Sequence, residues 1–258
     1  MPRKSFRVAF LLVILAAAMG LAVISRPPPP PDWNEPLKVV IYPYNADGSE
    51  IVASHIDDRR LQDFKPIADF MAEQAAQYDL PIERPFELAL GREIPEAPSL
   101  PPESRNLITR IHWGLSVRWW QFRFRDQVNK PDIIVVARYH RSDELPQKMH
   151  SIAIAAQRLA VARLVAEPLY STHNRVVLAH EILHTVGAAD LYAPSSGLPL
   201  YPDGYAEPER RPLYPQRRAE LMAGRIPGSP GQMREAFSLA EVVIGEYTAR
   251  EINWIRID

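Results

Sequence analysis

Apolar and polar residues repeat along the chain with two different periods, and the switches between them mark strands and helices. Leu37 to Tyr42 is a β-branched run that stops at Pro43 and predicts a first strand. Asn45-Ala46-Asp47-Gly48 follows as a turn. From Arg60 to Tyr78 the apolar residues fall at 61, 64, 67, 68, 71 and 75, the spacing of one helix face. Pro66 lies in its first turns, where a missing N–H does least harm. Pro85 to Leu90 predicts a second strand. After a proline-rich loop, Glu103 to Phe122 returns to helical spacing through Leu107, Ile111, Leu115 and Trp119. Asp132 to Tyr139 is the strongest strand; it lacks strict alternation, which predicts a central position buried on both faces. Ile152 to Ala156 and Leu159 to Val165 predict two more strands or a hairpin, the second being alanine-rich enough to be a helix instead.

Beyond residue 170 the pattern changes. Residues 176–179, 182, 183 and 186 are apolar, so a helix there, capped at Thr172, is covered nearly all round. Residues 191–230 are rich in Pro, Gly and Tyr and carry no period. Ser238-Leu239-Ala240-Glu241 has the form of a capping box and predicts a final helix to about Ile252. Strands alternating with helices, followed by a loop-rich stretch, predict an α+β fold: a mixed β-sheet with packed helices and a small C-terminal part.

Before all of this stands an uncharged run from Val8 to Ile24, preceded by Arg3, Lys4 and Arg7 and closed by Arg26. Residues 1–26 therefore predict a transmembrane signal anchor with its N-terminus in the cytoplasm and the body exported, facing a bacterial periplasm or the cell exterior. The small residues at Gly20-Leu21-Ala22 leave a cleaved signal peptide as the alternative. Residues 27–36, opening with five prolines, predict a stiff spacer.

Composition narrows the function. The formal net charge is −1, so nothing argues for a nucleic-acid partner, and the aromatic, arginine-bearing segment around Trp113 to Phe124 is predicted to be a core helix with a solvated arginine face. Cysteine is absent, which excludes disulfides and thiolate metal ligands.

The chemistry concentrates in His180-Glu181-Ile182-Leu183-His184. Residues four apart share a helix face, so His180 and His184 can offer two imidazoles to one ion. Zinc accepts nitrogen ligands in tetrahedral geometry, and hydrolytic sites keep one position open for water. Glu181, rotated about 100° from the first ligand, would stand beside that position as a general base. Gly187 can end the helix and let the chain double back, so that Asp190 reaches the metal as third ligand; Glu220 is the other candidate. An Asp after a helix can also simply stabilise a turn. His55, His112, His140, His150 and His173 show no ligand spacing.

His180-Glu181-x-x-His184-x-x-Gly187-x-x-Asp190 resembles the elongated motif of the metzincin zinc metallopeptidases, in the snapalysin-type variant with Asp in place of the usual third His. The resemblance implies a metzincin-like fold over 37–258, with an upper lobe (37–187), a central zinc helix and a lower lobe (188–258). It implies Zn2+ on His180, His184 and Asp190, Glu181 as catalytic residue, and a peptide or protein substrate paired in extended form with an edge strand. Ile152 to Ala156 and Leu159 to Val165 are the candidates for that strand. Leu221-Met222-Ala223-Gly224 resembles the Met-turn that floors such sites. Where the family often has a Tyr two residues after this Met, this chain has Gly224; Tyr192, Tyr201 and Tyr205 are left as candidate oxyanion stabilisers. A non-catalytic tethered module whose metal only holds the fold is the alternative reading.

Overall fold

A computed structural model describes residues 28–102, 106–124, 126, 128–144 and 151–255, together with Val8, Leu11 and Leu12. The predicted anchor lies outside the described residues apart from those three. No helix among the described residues is long and apolar enough to cross a membrane.

The structure is α+β, built on a five-stranded mixed sheet of order β2-β1-β3-β5-β4. Its strands are β1 (Leu37–Asn45), β2 (Phe86–Leu90), β3 (Ile133–His140), β4 (Ile152–Ile154) and β5 (Leu159–Val165). β2, β1, β3 and β5 run parallel; β4 is the antiparallel edge strand, joined to β5 by a tight connection through Arg158 at positive φ. β3 sits in the middle, as its unbroken apolar run predicts, and β4 and β5 form a hairpin.

β1 does not stop at Pro43. The carbonyl of Pro43 accepts from the Ile94 N–H on the β2 side, beyond the last β2 residue. The absent proline N–H would point the same way, so no bond to β3 is lost and the strand runs on to Asn45. A helix absent from the sequence reading follows: α1 (Glu50–Asp57), capped by the Ser49 hydroxyl, which accepts from the Val52 N–H at 3.3 Å.

The path β1 to β2 and then across to β3 reverses direction in the sheet. Right-handed crossovers then place successive helices on opposite faces. α2 (Lys65–Ala75) packs on one face through Ile67, Phe70 and Met71, in the main core with Val39, Ile41, Val135 and Ala137. α3 (Leu107–Phe124) covers the other face, where Val117 meets Val40, Tyr42, Val136 and Leu159. α3 is not the core helix predicted: Val117 is its one buried residue, and Leu115 and Trp119, read as core positions, face outward. Its sheet-facing row is Trp113, Val117, Trp120 and Phe124, with Phe124 edge-on to Tyr42 at 4.7 Å.

α4 (Ser171–Thr185) lies on the same face as α2. It starts at Ser171, preceded by a 3₁₀ turn at Pro168–Tyr170, and Thr172 is not its cap. Asn174 fixes its approach instead, bonding both the N–H and the carbonyl of Val165 at the end of β5. Leu178, Ile182 and Leu183 are fully buried, each stabilising the fold by about 1.5–3 kcal/mol.

Beyond α4 come short pieces: β6 (Ala219–Glu220) pairs with β9 (Val242–Val243), β7 (Arg225–Ser229) with β8 (Gln232–Glu235), and α5 (Glu246–Glu251) closes the described chain. The Ser238…Glu241 box opens only a 3₁₀ turn. Glu241 bonds the Phe237 N–H and Arg234, Ser238 makes no side-chain cap, and the helix waits until Gly245. The stretch read as a spacer joins the domain by Pro31. Trp33 is a core residue whose indole donates to the Ile252 carbonyl at 2.7 Å and whose ring packs edge-on against Phe86.

Candidate metal centre

The motif residues occupy the last turns of α4. One turn separates His180 from His184, and their rings meet edge to face at 4.6 Å between centroids. The helix ends in a Schellman motif: the Ala188 N–H reaches the Leu183 carbonyl at 3.1 Å and the Gly187 N–H the His184 carbonyl at 3.3 Å. Gly187 takes a φ of +117°, and a Cβ there would stand 3.3 Å from the Glu251 carbonyl, so glycine suits the position twice over. This exit turns the chain back under the helix. The Ala189 N–H is held by the Glu251 carboxylate at 2.8 Å, and Leu191 donates to the Met222 carbonyl at 3.0 Å. Asp190, fixed from both sides, meets both imidazoles.

The resulting triangle is nearly equilateral. His180 Nε2 and His184 Nε2 lie 3.0 Å apart, and Asp190 Oδ1 lies 3.2 Å from each. The other ring nitrogens are engaged: His180 Nδ1 is 3.0 Å from the Leu221 carbonyl, and His184 Nδ1 is 2.7 Å from the Ala188 carbonyl. A carbonyl only accepts, so each Nδ1 carries the proton and each neutral ring turns the lone pair of Nε2 inward. Two lone pairs and a carboxylate oxygen pointed at one another repel unless a cation lies between them. An ion with tetrahedral bonds of about 2.0–2.1 Å would hold its ligand atoms about 3.3–3.4 Å apart, close to the separations seen. The donor set, two imidazoles and one carboxylate, suits zinc. A proton is the alternative cation. Burial opposes charging His180, but the Asp190 hydrogen bond, the Glu181 charge and the Leu221 carbonyl outweigh it and push its pKa up to about 9. Burial opposes ionisation of Asp190, but its hydrogen bonds to His180 and His184 and their charge hold its carboxyl far below the usual range.

Glu181 is placed differently. Its ligand oxygen lies within 4.8 Å of both imidazole donors, yet Asp190 makes the closer approach to each. Glu181 is buried, and its Oε2 has no hydrogen-bond partner. Burial pushes its pKa up, with the Asp190 charge adding to the shift and the two histidines opposing it. A buried, unpaired carboxylate beside such a triangle is a group with a strong appetite for a proton.

Glu220 is not placed as a ligand. Its side chain is fully buried and spent on the turn beneath the site: Oε2 accepts from the Met222 and Ala223 N–H groups, and Oε1 from the Gly245 N–H and the Thr248 hydroxyl. Burial wins over these four donors and raises its pKa to about 7. The turn it fixes contains Met222, buried in the main core, and presents the Leu221 carbonyl to His180. The support of the site thus falls to two backbone carbonyls, Glu220 and Glu251. The carbonyls leave no mark in a sequence, and neither glutamate stands at a spacing that connects it to the motif.

A cleft of 390 Å³ opens over the triangle, lined also by Ile152 and Ala153 of β4 and by Tyr192. Between the two strands considered for substrate, β4 is the edge and β5 is interior. Tyr192 is the tyrosine that reaches the cleft; burial and the Asp190 charge raise its pKa. Tyr201 and Tyr205 pack against each other, and the Tyr205 hydroxyl bonds that of Tyr214. A second hollow of 540 Å³ extends past His180 and Glu181 between Val176, Val177, Arg225 and Glu235. His173 borders it, while His55 and His140 are buried elsewhere and His150 lies outside the described residues.

No protein-family model matches the sequence, and a search of curated proteins finds no relative that matches it.

Proposed function

We propose that the protein is a metzincin-like, zinc-dependent metallopeptidase, exported and tethered by its N-terminal apolar run. The observation that carries the reading is the triangle of His180 Nε2, His184 Nε2 and Asp190 Oδ1 at 3.0–3.2 Å, with both Nδ1 protons committed to carbonyls. His180, His184 and Asp190 would hold the ion. Bound there, zinc would supply Lewis acidity toward a water and the scissile carbonyl. The rest falls to the chain itself. Glu181, buried beside the cleft with an unpartnered oxygen, takes the proton of the attacking water and passes it to the departing amine. The open edge of β4 offers backbone donors and acceptors to an extended peptide, which would align it across the cleft by strand addition. Tyr192, which also lines the cleft, is the tyrosine placed to donate to oxygen charge that develops on the substrate.

The reading is tested by elemental analysis of the purified chain together with cleavage of a mixed peptide library. Expected are one zinc per chain, cleavage by the parent protein, and loss of cleavage with retained zinc in Glu181→Gln. Protein free of zinc, with a melting temperature unmoved by chelators, would defeat it. Zinc retained with no cleavage by the parent would favour a structural metal site.

A further inference from the structure

Helix α3 has a second apolar face. At about 100° per residue, Ile108, Ile111, Leu115, Trp119 and Phe122 fall within an arc of about 80° opposite the row that packs on the sheet. Ile108 is 77% exposed, Leu115 51%, Trp119 60% and Phe122 54%. Trp119 and Phe122 stack on each other at 5.7 Å. Arg118 flanks the stripe on one side and Arg123 on the other, and α3 contains no acidic residue.

We infer that this outer stripe of α3 docks on the surface of an anionic phospholipid bilayer. A helix lying in a membrane interface needs an apolar stripe to sink among the acyl chains, aromatic rings at headgroup depth and cations beside them. α3 has all three, while its opposite face is held by the sheet. Charge selects the partner. Two copies of α3 face to face would bring arginine against arginine with no acidic residue on either helix, whereas an anionic leaflet attracts the exposed Arg123 beside the stripe. Chain length makes the encounter local. Pro31 and Trp33 are fixed to the domain through Asn253 and Ile252. The five residues from Pro27 to Pro31 extend about 15–18 Å at most, so an apolar run held in a bilayer keeps the domain at its surface. The docking goes beyond the peptidase reading and does not depend on it.

The full chain contains no cysteine, so a single introduced one can be labelled cleanly. Leu115→Cys reports on the stripe and Leu12→Cys on the N-terminal run, each carrying a nitroxide, in vesicles of phosphatidylglycerol or of phosphatidylcholine. With the label at 115, access of a neutral nickel chelate should fall about fivefold or more in phosphatidylglycerol relative to phosphatidylcholine. The protection should disappear when Arg118→Glu and Arg123→Glu are added without a change in melting temperature. A label at 115 that stays open to the chelate in phosphatidylglycerol, while the label at 12 is inside the bilayer, overturns the inference and leaves the anchor standing. Shielding at 115 without lipid would assign the stripe to the chain's own N-terminal run. Shielding that grows with protein concentration would assign it to a second copy. Either result also overturns the inference.

Discussion

α3 and α4 look alike in sequence and differ in the structure. Both are long, both carry apolar residues around most of their circumference, and neither shows one clean amphipathic face. In α4 that distribution reflects burial on nearly every side: eight of its residues are buried, Glu181 among them, and His180, Glu181 and His184 border a cleft. In α3 it reflects two separate stripes, one against the sheet and one that is mostly exposed. An all-round apolar helix is thus an ambiguous signal. What separates the two cases is the chemistry of the polar positions. In α4 they converge on one another; in α3 they are arginines spread along the flanks of a stripe.

The sharpest test of the contrast is catalytic. Glu181→Gln should reduce peptide hydrolysis by about 10²–10⁴-fold, read as kcat at saturating substrate, while zinc content stays at the parent level. Retained activity would break the argument that the unpartnered carboxylate of α4 has a chemical use. Next in size is packing. Leu178→Ala in α4 should lower stability by about 2–5 kcal/mol in urea titrations, because the leucine is fully enclosed.

The turn beneath α4 gives a pH-dependent test. The folded pKa of Glu220, about 7, stands above the ordinary 4.5 of the unfolded chain. The stability linked to its proton is therefore fully present below pH 4.5 and is lost as pH rises toward 7, amounting to about 3 kcal/mol over that window. Comparing urea midpoints of the parent with Glu220→Gln between pH 4.5 and 8 isolates this slope. The parent should lose more stability than the variant as pH rises, and parallel curves would show that the four donors keep the carboxylate ionised. The smallest effect is expected on α3. Leu115→Ala should change stability by less than about 0.5 kcal/mol, since its side chain is half exposed and lies away from the buried core. A loss comparable with that of Leu178→Ala would dissolve the contrast between the helices.

How much of this could be read from the chain follows the same division. The central strands were legible because Val39 to Tyr42 and Ile133 to Tyr139 are apolar wherever the sheet covers them. The motif was legible because helix geometry fixes the spacing of His180 and His184, and the glycine ending at Gly187 follows from backbone sterics. The capping box at Ser238 misled because Glu241 found Arg234 and the Phe237 N–H instead, a tertiary competitor that local spacing does not reveal. α1 was missed for want of a long apolar period, although Ser49 offered its cap. Glu220 could be read as a ligand or as a support from its position alone; only the four donors around it distinguish the two.

The bond from the Ala189 N–H to Glu251 bridges 62 residues, and that from His180 to the Leu221 carbonyl bridges 41. The loop bearing Asp190 is therefore braced by a helix synthesised after almost everything else described. A chain still being synthesised would carry both histidines yet lack the bracing that sets their third companion. On the proposed peptidase reading, such an order of assembly would keep the nascent molecule harmless to its own unfolded segments until α5 clasps shut.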